Sequence, residues 1–425
     1  MSIFIQKAAP SRLPRILRVL SLFAATLAIL AARATAGDEA RIVAEAKRIH
    51  ENVLVLDSHV DIPLDYGLGK LDPGIDGATQ VDLPKLERGG VDAAVFAVFA
   101  RPGWRSSEGV ARARDEANRK LRAIREIPQR YPSRAALALS AADVERIHGE
   151  GKVAVIVGFL NALPVGKDLS LIDLYYNSGV RTFGFVHAGN NDFADSSRPI
   201  GDDKPGEHGG LSPLGREALD RLNKLGVIVD VSQLTPQGLT QTVQLSKAPV
   251  VATHSAVKAL VDSPRNLSDA ELDAIKSNHG VVQIVAFSYY LKAPPVDLHK
   301  KYKELQARFK KDTRDLTQEE NDELHREIYA LAPKTATVAD LVGAIDYAVK
   351  RIGIDHVGIS SDFNHGGGVI GWKDESEAVN VTTELVRRGY TEEQIAKLWG
   401  RNFLRVFREV EAVSKRLNVA DSRKP

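Results

Sequence analysis

The strongest constraint on the fold is a regular alternation of short apolar runs with helix-like segments from about residue 45 onward. Helix-start signals support the alternation, for example Ser212 before residues 214–225 and Ser268 before residues 269–277. Strands that alternate with helices form parallel sheets, and eight such units predict a (β/α)8 TIM-like barrel. The eight candidate strands are residues 53–56, 93–99, 153–159, 182–186, 227–231, 250–252, 281–287 and 357–359.

An open, doubly wound sheet is the competing fold, because it has the same alternation of strands and helices. That fold often binds a dinucleotide through Gly-x-Gly-x-x-Gly after its first strand, and no such motif follows residues 53–56. The length of 425 residues is compatible with one large barrel that carries insertions. We therefore favour the barrel.

Histidine or aspartate stands where several of the apolar runs stop. His59 and Asp61 are two positions apart, so on a strand both would point to the same face. His187, His254 and Asp362 each follow a later run. Each could instead be a hydrogen-bonded structural residue or a polar strand end that meets solvent. Active sites of barrels lie at the carboxyl ends of the strands, so the series together favours a metal site there.

The first 36 residues have the pattern of a signal peptide. Four basic residues precede an almost wholly apolar stretch at residues 19–32, and residues 34–36 give a small-x-small cleavage site. The apolar stretch of about 14 residues is shorter than the roughly 20 that span a bilayer, so an uncleaved anchor is the weaker alternative. With no cysteine in the chain, lipid attachment to cysteine is excluded. We expect a bacterial periplasmic or secreted protein without a stable membrane span after processing.

Charge and composition restrict the partners and mark two unusual segments. The 57 Lys and Arg residues nearly balance the 55 Asp and Glu residues, so nucleic acid is not an expected partner. Residues 292–335 are highly charged, which usually indicates solvated helices; the alternative is an insertion over the barrel mouth. Residues 411–425 are expected to form a polar, frayed tail. The remaining histidines are expected at the surface: His50, His148, His208, His279, His299, His325 and His356.

Residues 45–410 resemble the membrane (renal) dipeptidase family, peptidase family M19 of the amidohydrolase superfamily. Ten short motifs carry the resemblance, and their order along the chain makes it specific. They are 57–63 (DSHVDIP), 167–171 (KDLSL), 186–192 (VHAGNND), 209–212 (GGLS), 225–232 (LGVIVDVS), 248–250 (APV), 253–255 (THS), 264–267 (PRNL), 358–363 (GISSDF) and 399–406 (WGRNFLRV).

The resemblance implies a zinc hydrolase that cleaves dipeptides with water activated between two metal ions. It assigns His59, Asp61 and Asp362 to the first metal and His254 to the second. It also implies that Asp362 acts as general base and then acid. By the same match, His187 stabilises the oxyanion, and Arg265 grips the free C-terminus of the dipeptide.

Two positions depart from the family pattern, and both are positions of metal ligands. Leu160 stands where the family has a glutamate that bridges both metals, and Gln233 stands where it has a histidine ligand of the second metal. Leucine cannot bind a metal, and glutamine is a poor substitute for imidazole on zinc. We therefore expect one zinc ion per chain rather than two. Asn161 and His365 are nearby candidates for replacement ligands, although a loop histidine is more often exposed.

Two functions remain open at this stage. The first is a hydrolase of dipeptides or similar small amides with a mononuclear site. The second is a non-hydrolytic relative that binds a peptide-like ligand or assists the maturation of an exported product. The resemblance also leaves a homodimer as an option.

Overall fold

The computed structural model describes residues 37–67, 69–331 and 334–422 of the chain. The expected signal peptide, residues 1–36, lies outside the described residues. In the part of the chain that is described, no helix is both long and apolar enough to cross a membrane.

The strands form a barrel of eight parallel strands, which confirms the predicted fold class. Neighbours around the barrel follow the order β1, β2, β4, β5, β6, β7, β8, β9, while β3 pairs with β4 outside this path. The strands are β1 Leu56–Asp61, β2 Ala93–Phe99, β3 Ala135–Leu137, β4 Val153–Leu160, β5 Val180–Gly184, β6 Ile228–Asp230, β7 Val251–Ser255, β8 Val281–Val285 and β9 Val357–Ser360.

Two backbone hydrogen bonds close the barrel between β1 and the residues that follow β9. The Asp61 amide donates to the Phe363 carbonyl at 2.9 Å, and the Asp362 amide donates to the His59 carbonyl at 3.1 Å. These bonds lie at the carboxyl end of the barrel. The closing seam and the predicted ligands therefore occupy the same place.

Helices follow most strands and cover the outside of the barrel. Ser212 and Ser268 cap α7 and α9 as predicted: each side chain accepts a hydrogen bond from the first turn, and Ser268 forms a capping box with Glu271. The helices are α1 37–52, α2 Leu64–Gly67, α3 Leu83–Gly89, α4 Ser107–Arg130, α5 Ala141–Gly149, α6 Ser170–Asn177, α7 Pro213–Leu225, α8 Pro236–Leu245, α9 Asp269–Ser277, α10 Ser288–Leu291, α11 Leu298–Arg308, α12 Gln318–Leu331, α13 Val338–Ile352, α14 Val379–Arg387, α15 Glu392–Ala396 and α16 Asn402–Asp421, with a π-helical turn at Lys397–Arg401.

The last helix, α16, packs against the apolar residues at which several barrel strands begin. Leu56 of β1 and Val281 of β8 share a buried cluster with Phe407, Val410 and Val413 of α16. The expected boundary at residue 410 therefore falls inside a helix that continues to Asp421, and the expected frayed tail is wrong for residues 411–421. The three-residue spacing of Val410 and Val413 keeps both on the packed face.

The described part of the charged segment, residues 292–331 and 334–335, lies over the mouth of the barrel. It contains α11, a 3-10 turn at Thr313–Asp315, and α12. Leu316 and Leu324 are buried, and both line the cavity that leads to the predicted site. The alternative of an insertion over the mouth therefore describes this segment better than a purely solvated face.

Candidate metal centre

Three candidate metal ligands meet where β1 ends and where the chain leaves β9. The distance from His59 Nε2 to Asp61 Oδ2 is 3.4 Å, and the distance from His59 Nε2 to Asp362 Oδ1 is 3.9 Å. Tetrahedral zinc with bonds of about 2.0–2.2 Å holds its ligand atoms about 3.3–3.6 Å apart. The first distance lies within this range and the second is slightly longer.

Unpaired buried atoms give an independent test of whether a cation fits. Among the described residues, His59 Nε2 and Asp61 Oδ1 are buried atoms without a hydrogen-bond partner. Burying an unpaired polar atom is costly, and most buried polar groups in proteins have a partner. A metal ion would satisfy both atoms, so the residues present fit one metal.

Two further histidines lie against these ligands. The rings of His59 and His254 stack with centroids 3.8 Å apart, and His254 joins His59 and Asp362 in a group whose ligand atoms lie within 4.8 Å of one another. His365 forms a second such group with Asp61 and Asp362. Its Nδ1 is 3.3 Å from Asp61 Oδ2. The structure therefore brings His365, which the sequence left open, into the predicted site.

Burial and charge set the protonation of the two aspartates differently. Burial raises the pKa of Asp362 to about 6, although the charges of His365 and His59 act against this rise. Burial also acts to raise the pKa of Asp61, but the contacts with His365 and His59 outweigh it and lower the pKa below its ordinary value. Near neutral pH, Asp61 is a firm anion and Asp362 can exchange a proton.

The pKa of the histidine ligand His59 is also shifted. Burial acts to lower it, but the neighbouring carboxylates of Asp61 and Asp362 raise it above its ordinary value. A metal ion that binds His59 must therefore compete with a proton for Nε2.

The structure places His187 and Arg265 on the wall of the same cavity. Burial, with the charge of Arg198, holds the pKa of His187 well below its ordinary value, so the imidazole is neutral. Arg265 is 3% exposed; it donates to Ser255 Oγ at 3.1 Å and to the His254 carbonyl. A guanidinium has five N–H donors, so donors remain for a ligand in the cavity.

The two departures from the family ligands lie on the opposite side of the mouth. Leu160 is the last residue of β4 and is buried, so it brings no metal-binding atom. Gln233 follows β6; its Nε2 lies 3.2 Å from His254 Nε2, and its Oε1 accepts a hydrogen bond from Arg198. Asn161 donates to the Ala100 carbonyl at 2.9 Å. The side-chain amide of Asn161 is therefore bound to the backbone, which argues against Asn161 as a replacement metal ligand.

Left-handed backbone occurs at four described non-glycine residues around the mouth. The φ angles are 75° for Asn161, 69° for Gln233, 57° for Asp362 and 64° for Asn364. Such conformations are uncommon for residues with a side chain and concentrate at functional sites. Both sides of the mouth therefore share a strained turn directly after a strand.

The ligands open into a cavity of about 670 Å³ between the barrel and the insertion. Barrel residues form its floor, and the insertion contributes Tyr302, Leu316, Leu324 and His325. Polar residues of α4, including Arg112 and Glu116, line another part of its wall. The cavity is therefore enclosed by three separate parts of the chain.

The sequence did not predict that some residues would line the cavity. Arg198 lies in an irregular segment, residues 185–212, where no periodicity indicates its direction. His325 was expected at the surface, but burial lowers its pKa to about 4, and its ring lies 6.5 Å from that of His365. The surface prediction is also wrong for His50, which is buried and contacts Thr382 Oγ1 at 2.7 Å.

Fold and site define a class of protein: a (β/α)8 barrel that gathers histidine and aspartate residues able to hold a metal ion at the carboxyl ends of its strands. Within that class, the chain belongs to the membrane dipeptidase family, peptidase family M19, whose family model matches residues 43–421. The family inferred from the motifs is confirmed.

Individual relatives agree with this assignment. The chain is similar to Dipeptidase tcpJ of Claviceps purpurea, with 30% identity over 356 residues, or 81% of this chain and 72% of that protein. It is similar to the crystal structure of the probable dipeptidase PvdM from Pseudomonas aeruginosa, with 43% identity, a TM-score of 0.80, and coverage of 88% of this chain and 99% of that chain.

A third comparison concerns a metallo peptidase from Rhodobacter sphaeroides, solved with a phosphinate mimic of the dipeptide L-Ala-D-Ala. Its TM-score is 0.68 at 23% identity, with coverage of 84% of this chain and 99% of that chain. At this identity the likeness shows the shared fold alone.

Proposed function

We propose that this protein is a metal-dependent hydrolase of dipeptides or similar small amides that works with one metal ion. The observation that carries the proposal is the group of His59, Asp61 and Asp362, in which buried His59 Nε2 and Asp61 Oδ1 lack other partners. Membership of a family of metallopeptidases supports the same activity. Zinc is the metal we propose, because one histidine and two carboxylates suit a catalytic zinc site with an open position.

We assign the metal to Asp61 rather than to His254 as third ligand. Both ring nitrogens of His254 have partners: Nδ1 is 2.8 Å from Thr253 Oγ1, and Nε2 is 3.2 Å from Gln233 Nε2. Asp61 instead keeps an unpaired carboxylate oxygen. A bound zinc would supply a water of lowered pKa and polarise the amide carbonyl.

Asp362 is the group we propose for proton transfer. In the metal-free protein, burial raises the pKa of Asp362 to about 6. The carboxylate would take a proton from the attacking water and then pass it to the nitrogen of the leaving amine. The proton leaves water oxygen as the C–O bond forms, and it reaches the amine nitrogen as the C–N bond breaks. A raised pKa makes the carboxylate a stronger base for the first transfer, and a pKa near the working pH lets the same group donate the proton in the second.

Two other side chains would hold the substrate. Neutral His187 would stabilise the oxygen of the tetrahedral intermediate, and the planar fork of Arg265 would bind the carboxylate of the dipeptide. Both line the cavity that contains Asp362. One relative is named a dipeptidase and another a probable dipeptidase, and both names are consistent with these roles.

A second function, binding of a peptide-like ligand without hydrolysis, is favoured by one observation. The side of the mouth that would hold a second metal has Leu160 and Gln233 in place of ligands, while the cavity and Arg265 are retained. Such a protein could assist the maturation of an exported product. The basic and apolar pattern of residues 1–36 supports our further proposal that the protein is exported to the periplasm or secreted.

Elemental analysis and a substrate panel test the proposal. Purified protein should contain about one zinc per chain, as expected for a three-ligand catalytic site. Dipeptides with L,L and L,D stereochemistry should be hydrolysed with zinc present. Two bound zinc ions would contradict the mononuclear site, and lack of turnover with any divalent metal would favour the binding function.

A further inference from the structure

A hydrogen-bonded chain of side chains fills the Gln233 side of the mouth. Arg198 Nη2 donates to Gln233 Oε1 and lies 3.5 Å from His187 Nε2, while Arg198 Nη1 is 3.4 Å from Tyr290 Oη. Guanidinium can only donate, so the oxygen of the Gln233 amide must face Arg198 and its nitrogen must face His254. Gln233 thereby joins Arg198 to His254.

This orientation determines the state of His254. Gln233 Nε2 can only donate, so His254 Nε2 is the acceptor at 3.2 Å. The His254 proton is then on Nδ1, 2.8 Å from Thr253 Oγ1, whose hydroxyl donates to Asp230 at 2.6 Å. The lone pair of His254 that could bind a second metal is therefore already occupied.

The charge of Arg198 is not balanced by its hydrogen-bond partners. Gln233, Tyr290 and neutral His187 carry no negative charge, and Arg198 Nε is buried without a hydrogen-bond partner among the described residues. Leu160 likewise adds no carboxylate to this side of the mouth. A half-buried guanidinium without a counter-ion is unfavourable unless a negative or strongly polar oxygen can bind it.

We propose that the guanidinium of Arg198 takes the place of the second metal ion. It is a fixed cation, held by Gln233, that excludes a second divalent ion and binds the carbonyl oxygen of the amide together with His187. The inference deepens the proposed hydrolase function and rests on it for the identity of the ligand. The exclusion of a second metal does not depend on turnover, so it can be tested separately.

Metal counting in four variants tests the exclusion. The native protein and Leu160→Glu/Gln233→His should both hold about one zinc, because the positive charge of Arg198 still opposes a second ion in the double variant. Leu160→Glu/Gln233→His/Arg198→Leu should hold about two, because ligands are then present and the competing cation is gone. Elemental analysis after dialysis against zinc gives the counts.

The control for this series replaces an arginine of the same cavity on α4. Leu160→Glu/Gln233→His/Arg112→Leu should stay at one zinc, because Arg112 is not among the hydrogen-bond partners of Gln233 or Arg198 in the described part of the chain. Two zinc ions in the double variant, or one in the folded Arg198 triple variant, would overturn the proposal. Circular dichroism establishes which variants are folded.

Binding of a phosphinate dipeptide mimic tests the contact between Arg198 and the bound amide. This test needs only a single substitution, so it does not depend on the folding of the triple variant. Arg198→Leu should bind the mimic roughly 10- to 100-fold more weakly with zinc content unchanged, since a charge-assisted hydrogen bond is lost. Arg198→Lys, or added guanidinium ion with Arg198→Leu, should restore part of the affinity. Unchanged affinity in Arg198→Leu would overturn the proposal even if the protein hydrolyses dipeptides, whereas the expected loss without any turnover would reject only the hydrolase function.

Discussion

On the side of the barrel mouth formed by β1 and β9, the proposed metal ligands His59 and Asp61 lie at the end of β1 and Asp362 follows β9; on the side formed by β4 and β6, Leu160 ends β4 and Gln233 follows β6. The backbone is similar where the chain leaves β9 and β6, because Asp362 and Gln233 both have left-handed φ angles. The same kind of turn thus occurs on the side where Leu160 and Gln233 offer poor metal ligands. We therefore expect the side chains, rather than the fold, to set the number of metals.

The largest expected effect comes from a ligand on the β1 and β9 side. Asp362→Asn keeps the shape of the side chain but removes both a metal ligand and the proposed base, so zinc content should fall sharply. Turnover should fall roughly 10²- to 10⁴-fold from the loss of proton transfer alone. The matched control is Asp273→Asn on α9, where Asp273 forms an exposed ion pair with Arg351. Full zinc content in Asp362→Asn would remove Asp362 from the ligand set.

A smaller effect is expected from His365, which contacts a ligand. His365 Nδ1 lies 3.3 Å from Asp61 Oδ2 and helps to orient that carboxylate. His365→Ala should weaken zinc binding roughly 10- to 100-fold, as is usual when a partner of a ligand is lost. Competition with a zinc chelator measures the change. Unaltered affinity would show that Asp61 is held in place without His365.

The pH dependence of zinc binding should reveal the protonation of Asp362. In the metal-free protein the pKa of Asp362 is about 6, so below this pH zinc must displace a proton from the carboxyl group. Affinity should therefore decrease by about tenfold per pH unit below the raised pKa of His59, and by up to about a hundredfold per pH unit below pH 6, where both ligands must lose a proton. Calorimetric titration over a pH series gives the slope. A flat profile in this range would contradict the burial of an ionisable ligand.

The smallest effect on zinc is expected on the β4 and β6 side. Leu160→Ala should leave zinc content unchanged, because Leu160 is not a ligand. Its removal from the core should lower the free energy of unfolding by about 2–5 kcal/mol, which urea denaturation can measure. Leu174→Ala, at a 54% exposed position, should have little effect on either property. Loss of zinc from Leu160→Ala would show that zinc binding on the β1 and β9 side depends on packing on the β4 and β6 side.

The sequence predicted the apolar strands better than the strands with buried polar residues. β2 was predicted at its observed limits because all seven of its residues are apolar. β1 was expected to stop at residue 56, but it runs to Asp61 and is buried throughout. Its polar residues have partners inside the barrel, such as the Ser361 amide on Asp57 Oδ1. Tertiary pairing of this kind leaves no periodic signal.

The same distinction applies to the site. Motifs led to His59, Asp61 and Asp362, which the structure brings together. Arg198 was missed because its direction depends on the path of an irregular segment rather than on a repeat. The position of His325 depends on how a charged insertion folds back over the barrel, which its composition does not determine.

The seam that closes the barrel also has a consequence for folding. Asp61 bonds Phe363, and Asp362 bonds His59, so the proposed ligands come from opposite ends of the chain and meet only when the last strand docks against the first. Residues up to at least Phe363 must therefore be synthesised before the site can exist. A bound ion would then cross-link two segments that are far apart in the sequence. Cross-links that close long loops remove much entropy from the unfolded chain. Resistance to heat and proteases should accordingly depend on the metal throughout the barrel and not merely at its mouth.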